Sequence, residues 1–343
     1  MSQFSGAPLR RLYAQLQTTF GTVVATSNVW APATAKLVPH NSINIERKIE
    51  LIRAQYKTGT GSMLNGTGGR RSGTFQGEVP MMPSGAAGSA PNADPILANI
   101  FNGTATLVAS TSATYNRVDG SSNPLTLAIF DESGSGNSQF MYGGIIETYT
   151  INLGGSGVVN LGFDGKCFWV LEPDYWASED VTGKGGLTTS PTTTEPVSPA
   201  LAGNQLGAFT ASVTFGGTAV AEFVSAQIKG STGRTIRADG VGLYGTGIVQ
   251  GRAEVMLSSL KIGNSSSAVI ATIKNAIASK AAMNIVVVQG AVAGYIVTHN
   301  LNQVQFDGAK LTENGSSLDL DFSDAPSAAT ALANTNEYVL ALT

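Results

Sequence analysis

The residues best suited to chemistry are few and scattered. Two histidines, His40 and His299, occur in a chain of 343 residues, and neither has a carboxylate or cysteine at a metal-ligand spacing. A metal centre or a histidine-based triad would have to converge from distant segments, so both read as surface or core histidines. Gly240-Val241-Gly242-Leu243-Tyr244-Gly245 matches GxGxxG by letter. The residues that follow, TGIVQGRAEV, look like a strand, whereas pyrophosphate binding needs a helix N-terminus there. Asp319, Asp321 and Asp324 interleave with Leu318, Leu320 and Phe322 as the wet side of a strand, without the glycine and terminal glutamate of a calcium loop. Glu172, Asp174, Glu179 and Asp180 cluster beside Tyr175 and Trp176, as a cation site or a solvated end. Asn65-Gly66-Thr67 and Asn102-Gly103-Thr104 fit the glycosylation sequon, which matters only on secretion. No Walker loop and no GxSxG elbow occurs. The expectation is no enzyme, no cofactor and no metal.

The elements that would position any site are mostly strands. Gly73 to Phe101 leads from a strand-like run with Phe75-Gln76-Gly77 through small residues into an apolar helix. Similar grammar returns about 174 residues later, at Gly247 to Ile277, with Val249-Gln250-Gly251. In the first copy Asp94 is placed as N-cap, Pro95 as first helical residue, and Ile96, Leu97, Ile100 and Phe101 form one face. In the second, Ser267 caps Ala268 to Ser279, with Val269, Ile270, Ile273 and Ile277 as the stripe. A hairpin follows each: Ile145 to Leu153 returning through Val159, Leu161 and Phe163, and Val304 to Leu311 returning through Leu318, Leu320 and Phe322. The offset there shrinks to about 159, which an insertion in copy one near Thr104 to Asp119 would produce. The chain reads as two versions of one β-rich unit, with chance similarity of glycine-rich strands as the alternative.

Composition fits that reading. Hydrophobic residues make up 42%, charged ones only 13%, and glycine is abundant at 41 residues, a balance suited to short strands and many turns. Strand edges on a surface this poor in charge need covering, and ordered self-association is one way. Net charge is −3, and divided after Asp180 neither half is basic, so nothing recruits nucleic acid or anionic lipid. Cys167 is single, so no internal disulfide forms and a small core residue is expected. No basic-then-apolar leader and no apolar run of 18 residues is present, which predicts cytosolic synthesis without membrane insertion.

The proposed boundaries are a first domain at 1–181, a Thr/Pro/Gly-rich linker at 182–207 and a second domain at 208–343. Leu9 to Phe20 and Ile43 to Gln55 read as strands. Tyr56 to Arg71 and Ser231 to Gly247 read as long loops at equivalent positions, mixing glycine with Lys57, Arg70 and Arg71, and with Arg234 and Arg237. They are either solvent loops or arms ordered against a neighbour.

Arg10-Arg11-Leu12-Tyr13 through Thr19-Phe20-Gly21-Thr22, then Ile45-Glu46-Arg47-Lys48, a glycine-rich loop, Gly73-Thr74-Phe75-Gln76-Gly77-Glu78, the Asp94-Pro95-Ile96-Leu97 helix start and the Tyr142 to Asp164 hairpin resemble the tail tube (major tail) proteins of long, non-contractile bacteriophage tails. The similarity covers most of copy one and, less clearly, copy two. It implies a mainly β fold: two tandem tail-tube-like β-sandwich or partial-barrel units, each with one short flanking helix. It also implies self-assembly into stacked rings, a trimer with pseudo-sixfold symmetry favoured over a hexamer, and a virion location with other tail proteins at the tube ends. DNA would pass through the lumen without specific binding. A lumen lined by Ser, Thr, Asn, Gly and carboxylates is expected, with the long loops carrying ring-to-ring contact. Alternatives are a low-copy tail-tip or head-tail connector ring protein, and a carbohydrate-binding β-sandwich using exposed Trp30, Trp169 or Trp176.

Overall fold

The computed structural model describes residues 10–17, 34–52, 67–120, 123–131, 138–154, 158–172, 195–196, 206, 212–220, 223–237, 244–263, 267–308, 310–314, 317–331 and 335–343. The first half contributes β1 (Arg10–Leu16), β2 (Lys36–Val38), β3 (Ser42–Ile52), β4 (Thr67–Pro80), α1 (Asp94–Phe101), β5 (Thr106–Val108), β6 (Ser112–Asn116), β7 (Leu125–Asp131), β8 (Gln139–Gly154), β9 (Asn160–Cys167) and β10 (Trp169–Leu171). The second contributes β11 (Ser212–Phe215), β12 (Thr218–Val220), β13 (Phe223–Ser231), β14 (Arg234–Arg237), β15 (Gly247–Gln250), β16 (Glu254–Ile262), α2 (Ser267–Ser279), β17 (Met283–Gln289), β18 (Val297–Val304), β19 (Lys310–Asn314), β20 (Ser317–Ser327) and β21 (Tyr338–Leu342). The fold is mainly β; the described residues form antiparallel sheets of twelve, seven and two strands, none of them closed into a barrel.

The strand pairings repeat. In the first half one run is ordered β3-β4-β9-β8, and the second half gives β13-β16-β20-β19 in the same sense. A second run, β2-β1-β7-β8-β10, is matched by β12-β11-β17-β18-β21. Each helix follows the corresponding strand, β4 or β16. The β5–β6 hairpin has no counterpart among the described residues of the second half and falls in the stretch where the shrinking offset places an insertion. In the first half the 16-residue β8 serves both runs, its N-terminal part pairing β7 and β10 and its C-terminal part β9 and β13. It bends between them near Gly143, whose φ of 63° favours glycine, and at a register shift between Ile146 and Thr148. The second half uses separate strands, β18 and β19.

Two strand pairings cross the expected division into domains. β13 lies beside β8 from Ser225↔Gly154 to Ser231↔Thr148, and β6 lies beside β21 from Asn116↔Val339 to Ala113↔Leu342. The main core is correspondingly shared: Phe101 of α1 meets Tyr115 and Tyr338 at 5.8 and 5.4 Å between ring centroids, and Tyr149 stacks on Tyr338 at 6.5 Å. Of the expected linker, Glu195, Pro196 and Leu206 are described. Leu206 is buried between Met81 and Val159, exchanging backbone hydrogen bonds with both, and Glu195 accepts from Arg11 and from the Tyr13 hydroxyl at 2.9 Å.

Helix α1 has the expected bounds, with one correction. Ala93 is the N-cap residue and gives no side-chain cap. Asp94 stands in the first turn, where its charge suits the positive helix end, and accepts from Tyr115 Oη at 2.7 Å and Lys36 Nζ at 3.1 Å. The helix ends at Asn102 in the left-handed conformation. Asn99 pins it to the bend of β8, donating to Gly144 O at 3.2 Å and accepting from Ile146 N at 2.9 Å.

Candidate assembly edges

Joined through β8 and β13, the two repeats make one eight-stranded antiparallel run, β3-β4-β9-β8-β13-β16-β20-β19. Alternation gives it two unlike faces. Ile45, Phe75, Phe163, Ile151 and Ile228 point into the core, while Asn44, Glu46, Gln76, Lys229 and Glu254 are on the wet side. Its two end strands, β3 and β19, each pair on one side only among the described residues. An edge of this kind presents unpaired backbone N–H and C=O groups, a template for another strand. On β3 the edge also carries apolar side chains, with Ile49 50% and Leu51 52% exposed.

The β8·β13 joint shows what completes such an edge. Beyond its backbone ladder, Gln227 Nε2 donates to Asn152 Oδ1 at 2.7 Å. Past the paired strands, Thr232 N donates to Glu147 O at 2.9 Å, and its hydroxyl to Ile146 O at 2.6 Å. Gly230 is required here because the Tyr149 ring crosses it: a Cβ would lie 2.1 Å from Tyr149 Cζ. Gly230→Val should therefore push the ring off its stack on Tyr338 and cost about 1–3 kcal/mol. A urea titration read by far-UV dichroism checks this, and an unchanged midpoint would contradict the close contact.

The basic residues expected to join one ring to the next are not alike in placement. Lys57 lies outside the described residues. Strand β4 begins at Thr67, so Arg70 and Arg71 belong to a strand rather than to the loop expected over Tyr56 to Arg71. Arg70 is exposed, and Arg71 lies over the Trp169 ring at 5.7 Å. Within Ser231 to Gly247, Arg234–Arg237 is a strand paired with β15, and Arg237 is exposed at its end. Arg234 is the clear correction: it is buried, donating to Asn102 Oδ1 at 2.8 Å and to Asn99 O at the carboxyl end of α1. That end is the negative pole of the helix and favours a cation. Burial pulls the guanidinium down to about 10. Nothing in a letter-level reading separates such an anchor from a surface arginine.

Other residues singled out earlier also find places. His299 is a buried core histidine, its ring nitrogens 2.8 Å from Tyr338 Oη and 3.1 Å from Gln289 Oε1, and burial lowers its pKa to about 3. Cys167 is buried, and burial raises its thiol pKa. Trp169 is fully buried, with the Arg47 and Arg71 guanidiniums 5.6 and 5.7 Å from its ring centroid, while Trp30 and Trp176 lie outside the described residues. The wet side of the eight-stranded run carries Lys48, Lys166, Lys229 and Lys261 among its polar residues and carboxylates. Carboxylates offset them locally: Lys166 Nζ is 2.8 Å from Glu147 Oε1, and Lys261 stands opposite Asp321 in register.

No protein-family model matches the chain, and no curated protein matches it.

Proposed function

We propose that this chain is a structural, non-catalytic subunit that assembles with copies of itself into rings, and that the rings stack into the tail tube of a long-tailed bacteriophage. One observation carries the self-assembly part of this reading. The molecule already contains a head-to-tail joint between two equivalent four-stranded runs, at β8·β13, while the two outer edges of the same run have no further strand beside them among the described residues. A head-to-tail interface closes into a ring when its rotation divides the circle. With two units per chain, three chains give six units, so a trimer is favoured over a hexamer. The tail assignment itself rests on the resemblance of the motifs given above.

In this reading the wet face of the run lines the lumen. Among the described residues its interleaved lysines and carboxylates form no continuous basic track, so DNA would pass without the salt-dependent hold that phosphate contacts impose. Other tail proteins would meet the tube at its ends, and the place of action is the virion. Burial of Trp169 removes that residue as a sugar platform.

Negative-stain images and sedimentation of the purified protein at rising concentration test the proposal. Tubes or closed rings are expected. A stable monomer at high concentration would overturn it, and copy number in isolated particles separates a repeating tube subunit from a connector ring.

A further inference from the structure

The internal joint fixes more than the fact of association; it also fixes a register. In the first repeat, Phe163 stands opposite Gly77 and Gly77 opposite Ile43. In the second, Phe322 stands opposite Leu260 and Leu260 opposite Ala226. Taking the Leu161/Phe163 and Leu320/Phe322 positions as equivalent, Ile43 corresponds to Ala226, and three residues further on Glu46 corresponds to Lys229. On the other side of each run, Thr150 stands opposite Gly162, and Lys310 opposite Asp321. Gly162 and Asp321 are equivalent by the same rows, so Lys310 corresponds to Thr150.

At the internal joint, Lys229 faces Thr150. We infer that β3 of one chain pairs antiparallel with β19 of the next chain in the register of β13 on β8, so that Glu46 faces Lys310 of the neighbouring copy. The inference rests on the self-assembly reading and adds to it the edge, the partner strand and the register. Three features agree with it. Glu46 and Lys310 are both exposed on the end strands of the same run. Their charges are opposite, and a directly opposed pair of this kind favours a register whereas like charges oppose it. The neighbouring rows carry over too: Gln227 opposite Asn152 becomes Asn44 opposite Thr312, and Ser225 opposite Gly154 becomes Ser42 opposite Asn314. A slip of one residue would turn every side chain of β3 to the wrong face, so the register is specified by the two-faced pattern as well as by charge.

The test is a charge exchange read by assembly. Glu46→Lys and Lys310→Glu, each alone, should raise the concentration needed for assembly about tenfold, and the two combined in one chain should restore it. Both positions are exposed, so the melting curve of dilute Glu46→Lys monomer should stay put, whereas Lys310→Glu sets a second acidic residue opposite Asp321 in its own hairpin and should lower the midpoint slightly, by the same amount alone and in the double variant. A second variant, Glu46→Cys with Lys310→Cys, should give on oxidation a covalent ladder of chains on a non-reducing gel; buried Cys167 adds no accessible thiol. Tubes that form equally well with either single exchange and give no ladder would overturn the register while leaving self-assembly standing. A wild-type chain that stays monomeric at every concentration, with no ladder from the cysteine variant, would overturn both.

Discussion

Replacing Arg117 by methionine should lower the unfolding free energy by about 3 kcal/mol. Arg117 follows β6 and Glu337 precedes β21, and the Arg117 Nε lies 2.5 Å from Glu337 Oε1. Glu337 is only 6% exposed, so losing its partner leaves a buried carboxylate with no cation against it. Breaking such a pair costs more than the pair contributes, because the remaining charge keeps its desolvation penalty. Arg117→Met combined with Glu337→Met should recover most of the loss, since the site then buries no charge. Urea unfolding of the two single variants and the double variant measures this. Equal losses for Arg117→Met alone and for the double variant would show that the pair is not what matters.

Trp169→Ala should be at least as damaging, by about 3–5 kcal/mol. The ring is fully buried and fills the space among Phe168, Tyr142 and the Tyr244 ring, which meets it edge-on at 5.7 Å. Two guanidiniums depend on it: Arg47 and Arg71 sit 5.6 and 5.7 Å from its centroid, on strands β3 and β4. Arg47 is further held by Val170 O at 3.1 Å and by Glu172 at 3.4 Å. Removing the ring deletes packing and also takes the cation–π partner from two like charges. Trp169→Phe keeps a smaller face and should lose less than half as much. The denaturation midpoint checks both, and near-wild-type stability for the alanine variant would contradict the packing described.

Much of the fold was legible because it rests on local signals. Apolar spacing located both helices and the return strands through Leu161 and Phe163 and through Leu318, Leu320 and Phe322, but the single strand expected over Val304 to Leu311 is divided between the end of β18 and the start of β19. The changing offset between the repeats located the β5–β6 hairpin. What the letters could not supply was partnership. Alternation along Ile145 to Leu153 says which side is wet, but nothing in it says that β13 rather than another strand will lie alongside. Ala113 and Tyr115 alternate as any half-buried strand does, and their partner at β21 is set by tertiary packing around Phe101 and Tyr338. The same holds for polar residues. Arg234 looked like a solvent-facing loop cation, yet the carbonyls ending α1 hold it inside. Asp94 looked like a cap, yet Tyr115 and Lys36 claim its carboxylate. The edge pair Glu46 and Lys310 was visible only as two ordinary charged letters until the repeated pairing gave each a coordinate on the other's strand.

The β6·β21 ladder has a consequence for biosynthesis. Residues 113–116 leave the ribosome more than 220 positions ahead of the strand that flanks them, a wait of about 10–45 s at the roughly 5–20 residues per second of translation. Throughout that interval β6 has only β5 beside it and its other edge is open, and the adjoining Leu107 and Val108, about half exposed even in the finished molecule, offer a nascent chain a sticky margin. Chaperone occupancy during synthesis is thus expected to concentrate on this hairpin and to end when residues 338–342 emerge.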